Sequence, residues 1–234
     1  MEAMVHDFLA ESVYMGVILT LGTYCIGIWL RKTTGWALMN PLLVSILLSI
    51  AFLSFTGTTY ESYSNGAEVI SYLLTPATVC LAVPLYEQLE HLRRNYHAVA
   101  LGITAGVLAS MTSILGMVLL LDMDHEAYVT LLPKSITTAI GMGVSEELGG
   151  RVPVTILVIV ITGITGNIFA EKFLRLIKVK EPIAKGIAIG SASHVIGTSK
   201  AMEMGQTEGA MSSLAIVTSG VLTVIMASVF ALLA

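Results

Sequence analysis

Of 234 residues, 55% are hydrophobic and 12% are charged, and the mean hydropathy of +0.84 excludes an ordinary soluble domain. The composition implies one all-α integral membrane domain over residues 1–234, a helical bundle of about seven or eight membrane segments at ~20 residues each, with the lipid bilayer as its solvent. The net charge of −4 is scattered over connecting residues. With no basic arm carrying interleaved aromatics, nucleic acid is excluded as a partner.

Apolar segments run over approximately 12–30, 38–55, 67–86, 97–121, 129–146, 152–174, 183–199 and 210–234. The first, preceded by Glu2, Asp7 and Glu11, lacks the basic flank of a signal peptide and is expected to be a retained helix. Asn40-Pro41 opens the second. The third carries Pro76, Thr78 and Pro84, so a kink is expected there, with backbone polar groups freed toward a cavity. Cys25 and Cys80 each sit in an apolar run without metal-ligand spacing and read as small buried hydrophobes. The histidines likewise show no such spacing; no metal and no cofactor is expected.

Charge placement constrains the path. With the N-terminus outside, Arg31, Lys32, Arg93 and Arg94 fall in the cytoplasm, as the bias of basic residues requires. If 129–146 and 152–174 each crossed once, however, Lys172, Arg175, Lys178, Lys180 and Lys185 would lie outside. The simplest repair is a re-entrant 129–150, built from two half-helices meeting near Gly141 and Gly143. Such an element is tolerated only where its free backbone groups are covered by protein or line a cavity. A faint internal repeat, Leu74 to Leu89 against Leu132 to Leu148, fits transporters built from duplicated units.

Two constellations carry polar chemistry. In the first, Lys134, Ser135, Thr137 and Thr138 precede Gly141 and Gly143; hydroxyls, free amides at a half-helix start and an ammonium suit a carboxylate. The second is Ser191, Ser193, His194, Gly197, Thr198, Ser199 and Lys200, with Glu203 beyond. Here His194 is placed to exchange a proton or to bond a carboxylate, the alternative being a structural histidine between helices. Lys200 and Glu203 have the spacing of a local ion pair. Ser193 and His194 are neighbours on a helix and point about 100° apart, so they do not form a nucleophile and base, and no enzyme is expected.

Five stretches, Asn40-Pro-Leu-Leu-Val44, Pro76 to Tyr86, Leu132-Pro-Lys-Ser-Ile-Thr-Thr138, Ala192-Ser-His-Val-Ile-Gly-Thr-Ser-Lys200 and Glu208-Gly-Ala-Met-Ser-Ser213, resemble the signature segments of the LrgB/CidB family. The resemblance covers nearly the whole chain, in order. It implies a multi-pass protein of the bacterial inner membrane, often encoded beside a holin-like LrgA/CidA-type partner and connected with murein hydrolase activity and lysis. Relatives include the plastidal glycolate/glycerate translocator, and bacterial pairs are linked to pyruvate uptake. Small monocarboxylates are therefore the substrate class the resemblance implies, held by Lys134, Ser135, Thr137, Thr138, Ser193, His194, Thr198 and Lys200. Asn40, Pro76, Thr78, Gly141, Gly143 and Gly197 would shape the cavity. The rival expectation is an antiholin-like, pore-modulating protein whose small residues, such as Gly102 and Gly106, serve helix contacts with a partner or within a homo-oligomer.

Overall fold

The computed structural model describes residues 14–36, 39–73, 76, 79–80, 86 and 89–234. Every regular element among them is helical, and the chain divides into two units, 1–80 and 81–234. Among the described residues three helices are long and apolar enough to cross a membrane, Tyr96–Leu121, Val152–Leu176 and Gln206–Leu233.

In the first unit, α1 (Met15–Thr34) ends where Gly35 takes φ 66° and returns its N–H to Arg31. Asn40 starts α2 (Pro41–Thr56) by accepting from the Leu42 and Leu43 amides, with proline in the first turn. Asn40 is thus a helix cap. The two helices run antiparallel, with Gly27 against Pro41 and the Thr23 hydroxyl 2.9 Å from Ser45 Oγ and 3.2 Å from Ser49 Oγ. Short helices α3 (Tyr60–Gly66) and α4 (Glu68–Tyr72) follow, and Tyr63 Oη lies 2.7 Å from Thr20 Oγ1. Pro76 is exposed, Thr78 and most of the expected kink lie outside the described residues, and so does much of the first copy of the expected repeat. Cys25 and Cys80 are exposed rather than buried, as residues on an apolar helix face turned to lipid are.

In the second unit, α5 (Leu89–Arg94) leads into α6 (Tyr96–Leu121). Segment 129–146 is then two helices, α7 (His125–Leu131) and α8 (Thr138–Glu147), joined by turns over Leu132 to Thr137. The chain reverses at these turns, because Pro133 cannot donate and the bonds tighten to Lys134 N–H to Leu131 O and Ile136 N–H to Pro133 O. The expected break near Gly141 and Gly143 is therefore displaced. Both glycines are helical, and Gly141 serves close packing against Ile159.

A buried hydroxyl network closes this first hairpin on α9 (Val152–Leu176). Thr155 Oγ1 donates to Thr130 O at 2.9 Å and lies 2.7 Å from Ser145 Oγ, and Thr130 Oγ1 accepts from Arg151 N–H at 2.8 Å. Thr155 and Ser145 are wholly buried. Thr155→Val is expected to cost about 1–3 kcal/mol, since it leaves a buried carbonyl and a hydroxyl short of a partner; thermal unfolding in detergent checks this. At the mouth, Arg151 lies 2.6 Å from Glu126 and holds its carboxyl below the usual carboxylate range. A depressed carboxyl stabilises the fold above its ordinary value and loses that effect as pH falls through the depressed one. Amide protection at Thr130 and Arg151, corrected for the intrinsic pH dependence of exchange, should therefore be flat from neutral pH to pH ~5 and fall only in stronger acid.

Segment 183–199, an apolar span in which the Gly, Ser and Thr residues from Gly190 to Gly205 predict a broken helix, is a second hairpin. Helix α10 (Pro182–Met204) has a non-helical residue inside, His194, at φ 43° and ψ −143°. A Cβ built on Gly197 lies 3.1 Å from Ile189 Cγ2, a contact that about 12 Å of straight helix between them would forbid. The following helix α11 (Gln206–Phe230) gives the same answer. Gly186 meets Glu208 and Gly190 meets Ser212, whereas Met202 meets Gly209 and Thr198 meets Ser212, so the two arms run in opposite directions along it. The reversal sits in a run of hydroxyls that compete with helix bonding: Ser191 Oγ donates to Ile187 O at 2.7 Å, and Thr198 Oγ1 to His194 O at 2.9 Å. Gly197 supports the turn from one arm, but the break itself is at His194.

The hairpins enter from opposite ends of a three-helix frame. The mouth of the first adjoins Arg151 at the start of α9; the mouth of the second adjoins Glu171 near its end. One core cluster joins Val107, Met111, Ile114 and Val118 of α6 to Tyr128 and Val129, and Tyr128 Oη donates to Phe230 O at 3.0 Å. Another joins Val99 and Ile103 to Ile187 and Met211.

Candidate functional site

The two hairpin tips approach each other halfway along α6 and α9. Ser110 Oγ of α6 is 3.0 Å from Ser135 Oγ in the first tip. One turn earlier, a Cβ built on Gly106 would lie 2.8 Å from Ser191 Oγ near the second. Gly102 faces Ile187, so the Gly102/Gly106 pair is used inside the chain, between α6 and α10.

On α9 the second tip fits a notch made by two glycines. A Cβ on Gly163 would lie 2.7 Å from His194 Cε1 and 2.9 Å from Nε2, and one on Gly166 would collide with the Ser193 side chain. In that notch the His194 Nε2–H donates to Ile159 O at 2.9 Å, and the residue is 2% exposed. Its positive φ is a conformation that glycine adopts without penalty and other residues rarely do. The ring bond and its enclosure hold the reversal in place.

Lys134 and Ser193, from opposite tips, line one groove of about 680 Å³ together with Thr162, Thr165 and Gly166. Apart from these residues its wall is largely apolar. The Lys134 ammonium donates to Ser135 Oγ at 3.0 Å and is half-buried, and among the described residues no carboxylate lies within 4.0 Å of it. Thr137 heads α8 without capping it through its side chain, and Thr138 is the first helical residue. An unneutralised ammonium beside an uncapped helix start suits a small anion.

Of the sequence-derived residues, the structure thus brings Lys134, Ser135 and Ser193 together, with Thr137 and Thr138 following in the first tip. It separates three. His194 turns its ring into α9. Thr198 is fully buried, its hydroxyl 2.7 Å from Ser212 Oγ of α11. Lys200 sits at the second mouth, 2.9 Å from Glu171 and 3.2 Å from Glu203, where the expected local pair is joined by a cross-helix one. Thr162, Thr165, Gly166 and Ser110 escaped the sequence reading, although the small and hydroxyl residues of Thr162-Gly-Ile-Thr-Gly166 interrupt an apolar helix and were the available signal. Among the described residues no group of three or more His, Cys, Asp and Glu is arranged to hold a metal.

Residues 20–233 match the LrgB-like family. The chain is 36% identical over 220 residues to the Antiholin-like protein LrgB of Bacillus subtilis (strain 168), a match spanning 94% of this chain and 95% of that one. No solved structure matches it.

Proposed function

Because this chain belongs to the LrgB-like family, we propose that it is an antiholin-like protein of the bacterial inner membrane that restrains murein hydrolase activity and lysis, acting with a holin-like partner of the LrgA/CidA type. Similarity over nearly the full length to a protein named antiholin-like carries this reading. The exposed apolar faces of the long helices are compatible with lipid and with a membrane partner. In a bacterium carrying such a partner, producing this chain should slow lysis after a cell-wall challenge and lower murein hydrolase activity; unchanged lysis and activity would overturn the reading.

A second reading, a non-enzymatic carrier of small monocarboxylates of the pyruvate, glycolate and glycerate class, is favoured by one feature of the fold. Opposed hairpins that bring an unneutralised ammonium to the middle of a three-helix frame resemble the interrupted helices at which carriers bind anions near the bilayer midplane. On this reading both hairpins are re-entrant, and the mouth carrying Arg175, Lys178, Lys180 and Lys185 faces the cytoplasm. The carboxylate bonds Lys134, Ser193 and the amides and hydroxyls at the start of α8, while His194 shapes the opposing tip. Proteoliposomes holding the chain, with and without the partner, should take up labelled monocarboxylates saturably; no uptake in either case would exclude a carrier.

A further inference from the structure

At the mouth of the second hairpin lies a basin of about 500 Å³ that neither reading uses. Its wall carries Arg175, Lys178, Lys180, Lys185 and Lys200 against three carboxylates, Glu171, Glu203 and Glu208. The carboxylates are already engaged: Glu171 by Lys200 and Arg175, each at 2.9 Å, Glu203 by Lys200 at 3.2 Å, and Glu208 by Lys185 at 3.9 Å. Lys178 and Lys180 are left exposed, with no carboxylate within 4.0 Å among the described residues.

The turn that presents them is built, since Lys178 N–H bonds Arg175 O at 3.1 Å and Val179 N–H bonds Leu174 O at 3.0 Å. Lys178 has φ 61°, at a helix end where glycine is the usual residue. Leu174 and Val179 line both this basin and the groove that runs on past Ile177, Phe173 and Phe169 to Ile161. Those four side chains are exposed and apolar, and along α9 they cover about 24 Å, more than the ~15 Å hydrocarbon depth of one leaflet. A cationic floor therefore opens directly into an apolar trough of acyl-chain length.

We propose that one anionic phospholipid occupies this trough, its phosphate held by Lys178 and Lys180 and an acyl chain lying along Ile177, Phe173 and Phe169. The inference stands on charge complementarity and on the continuity of basin and trough, and it holds under the antiholin-like reading; on the carrier reading the same groove also takes the carboxylate, at its far end beside Lys134 and Ser193. A soluble phosphate would leave the trough bare, and a zwitterionic lipid would leave the two lysines without net compensation.

The full chain in mild detergent, titrated with phosphatidylglycerol or with phosphatidylcholine of the same chains and read by native mass spectrometry, tests this. Phosphatidylglycerol should be retained preferentially. The double variant Lys178→Gln/Lys180→Gln should bind it roughly 30-fold more weakly, while Lys172→Gln, outside the basin, should bind it as the unaltered chain does. Should the double variant misfold, protection of Lys178 and Lys180 from acylation by phosphatidylglycerol in the unaltered chain gives the same reading. Equal retention of both lipids, undiminished retention by a folded double variant, absence of protection, or displacement by free glycerol phosphate would each overturn the proposal.

Discussion

Gly190→Ala is expected to lower stability by about 1–3 kcal/mol, and Gly143→Ala to leave it unchanged or raise it by up to about 1 kcal/mol. The two glycines look alike in the sequence, each within an apolar helical stretch. At Gly190 an added methyl would be driven against the backbone carbonyl of Ser212 and to 2.8 Å from Ala215 Cβ. Backbone within a helix cannot swing aside as a flexible side chain would, so α10 and α11 must separate along their shared seam. At Gly143 nothing lies within 4 Å, and alanine simply improves an exposed helical position. Thermal unfolding of both variants in the same detergent checks the contrast; identical melting would mean that α10 and α11 are not in the close register described.

On the carrier reading, Lys134→Met should reduce monocarboxylate uptake by roughly 30-fold or more, because it removes the charged partner of a buried carboxylate. Lys134→Arg should retain part of it. Lys134 makes one side-chain bond, to its neighbour Ser135, so the methionine variant should still fold, and unchanged melting would separate a lost ligand from a lost structure. If Lys134→Met transports as well as the unaltered chain, the anion is not held between the tips. Should the same variant still slow lysis, the antiholin-like role does not depend on carriage.

Composition and apolar runs made the three long helices legible, since 97–121, 152–174 and 210–234 nearly coincide with α6, α9 and α11. Charge bias also gave a reason for the chain to turn back within 129–150. The position of that turn was misread because glycine permits both a break and close packing, and which one operates at Gly141 depends on Ile159, 18 residues away. For His194 the sequence left two roles open, a proton-exchanging or carboxylate-bonding ring and a structural histidine between helices, and the structure places it at the reversal with its ring bonded to Ile159 O of α9. The second hairpin had no charge signature, because both its arms are flanked by basic and acidic residues alike. Lys134 and Ser193 could be nominated from sequence as halves of one site, but their sharing one groove depends on where the two reversals sit, and tertiary contacts decide that.

The order of synthesis gives α11 a further importance. It is made after α1 to α10, yet it receives Gly186 and Gly190 from one arm of the second hairpin, Thr198 from the other, Ile140 from the first hairpin through Gly220, and the Tyr128 hydroxyl at its end. Until it emerges from the ribosome, the Thr198 hydroxyl lacks its Ser212 partner and the Gly186 and Gly190 faces lack the helix they pack against. Packing of the two hairpins is therefore completed late, and a nascent chain stopped before residue 206 should remain a client of the insertion machinery and its proteases.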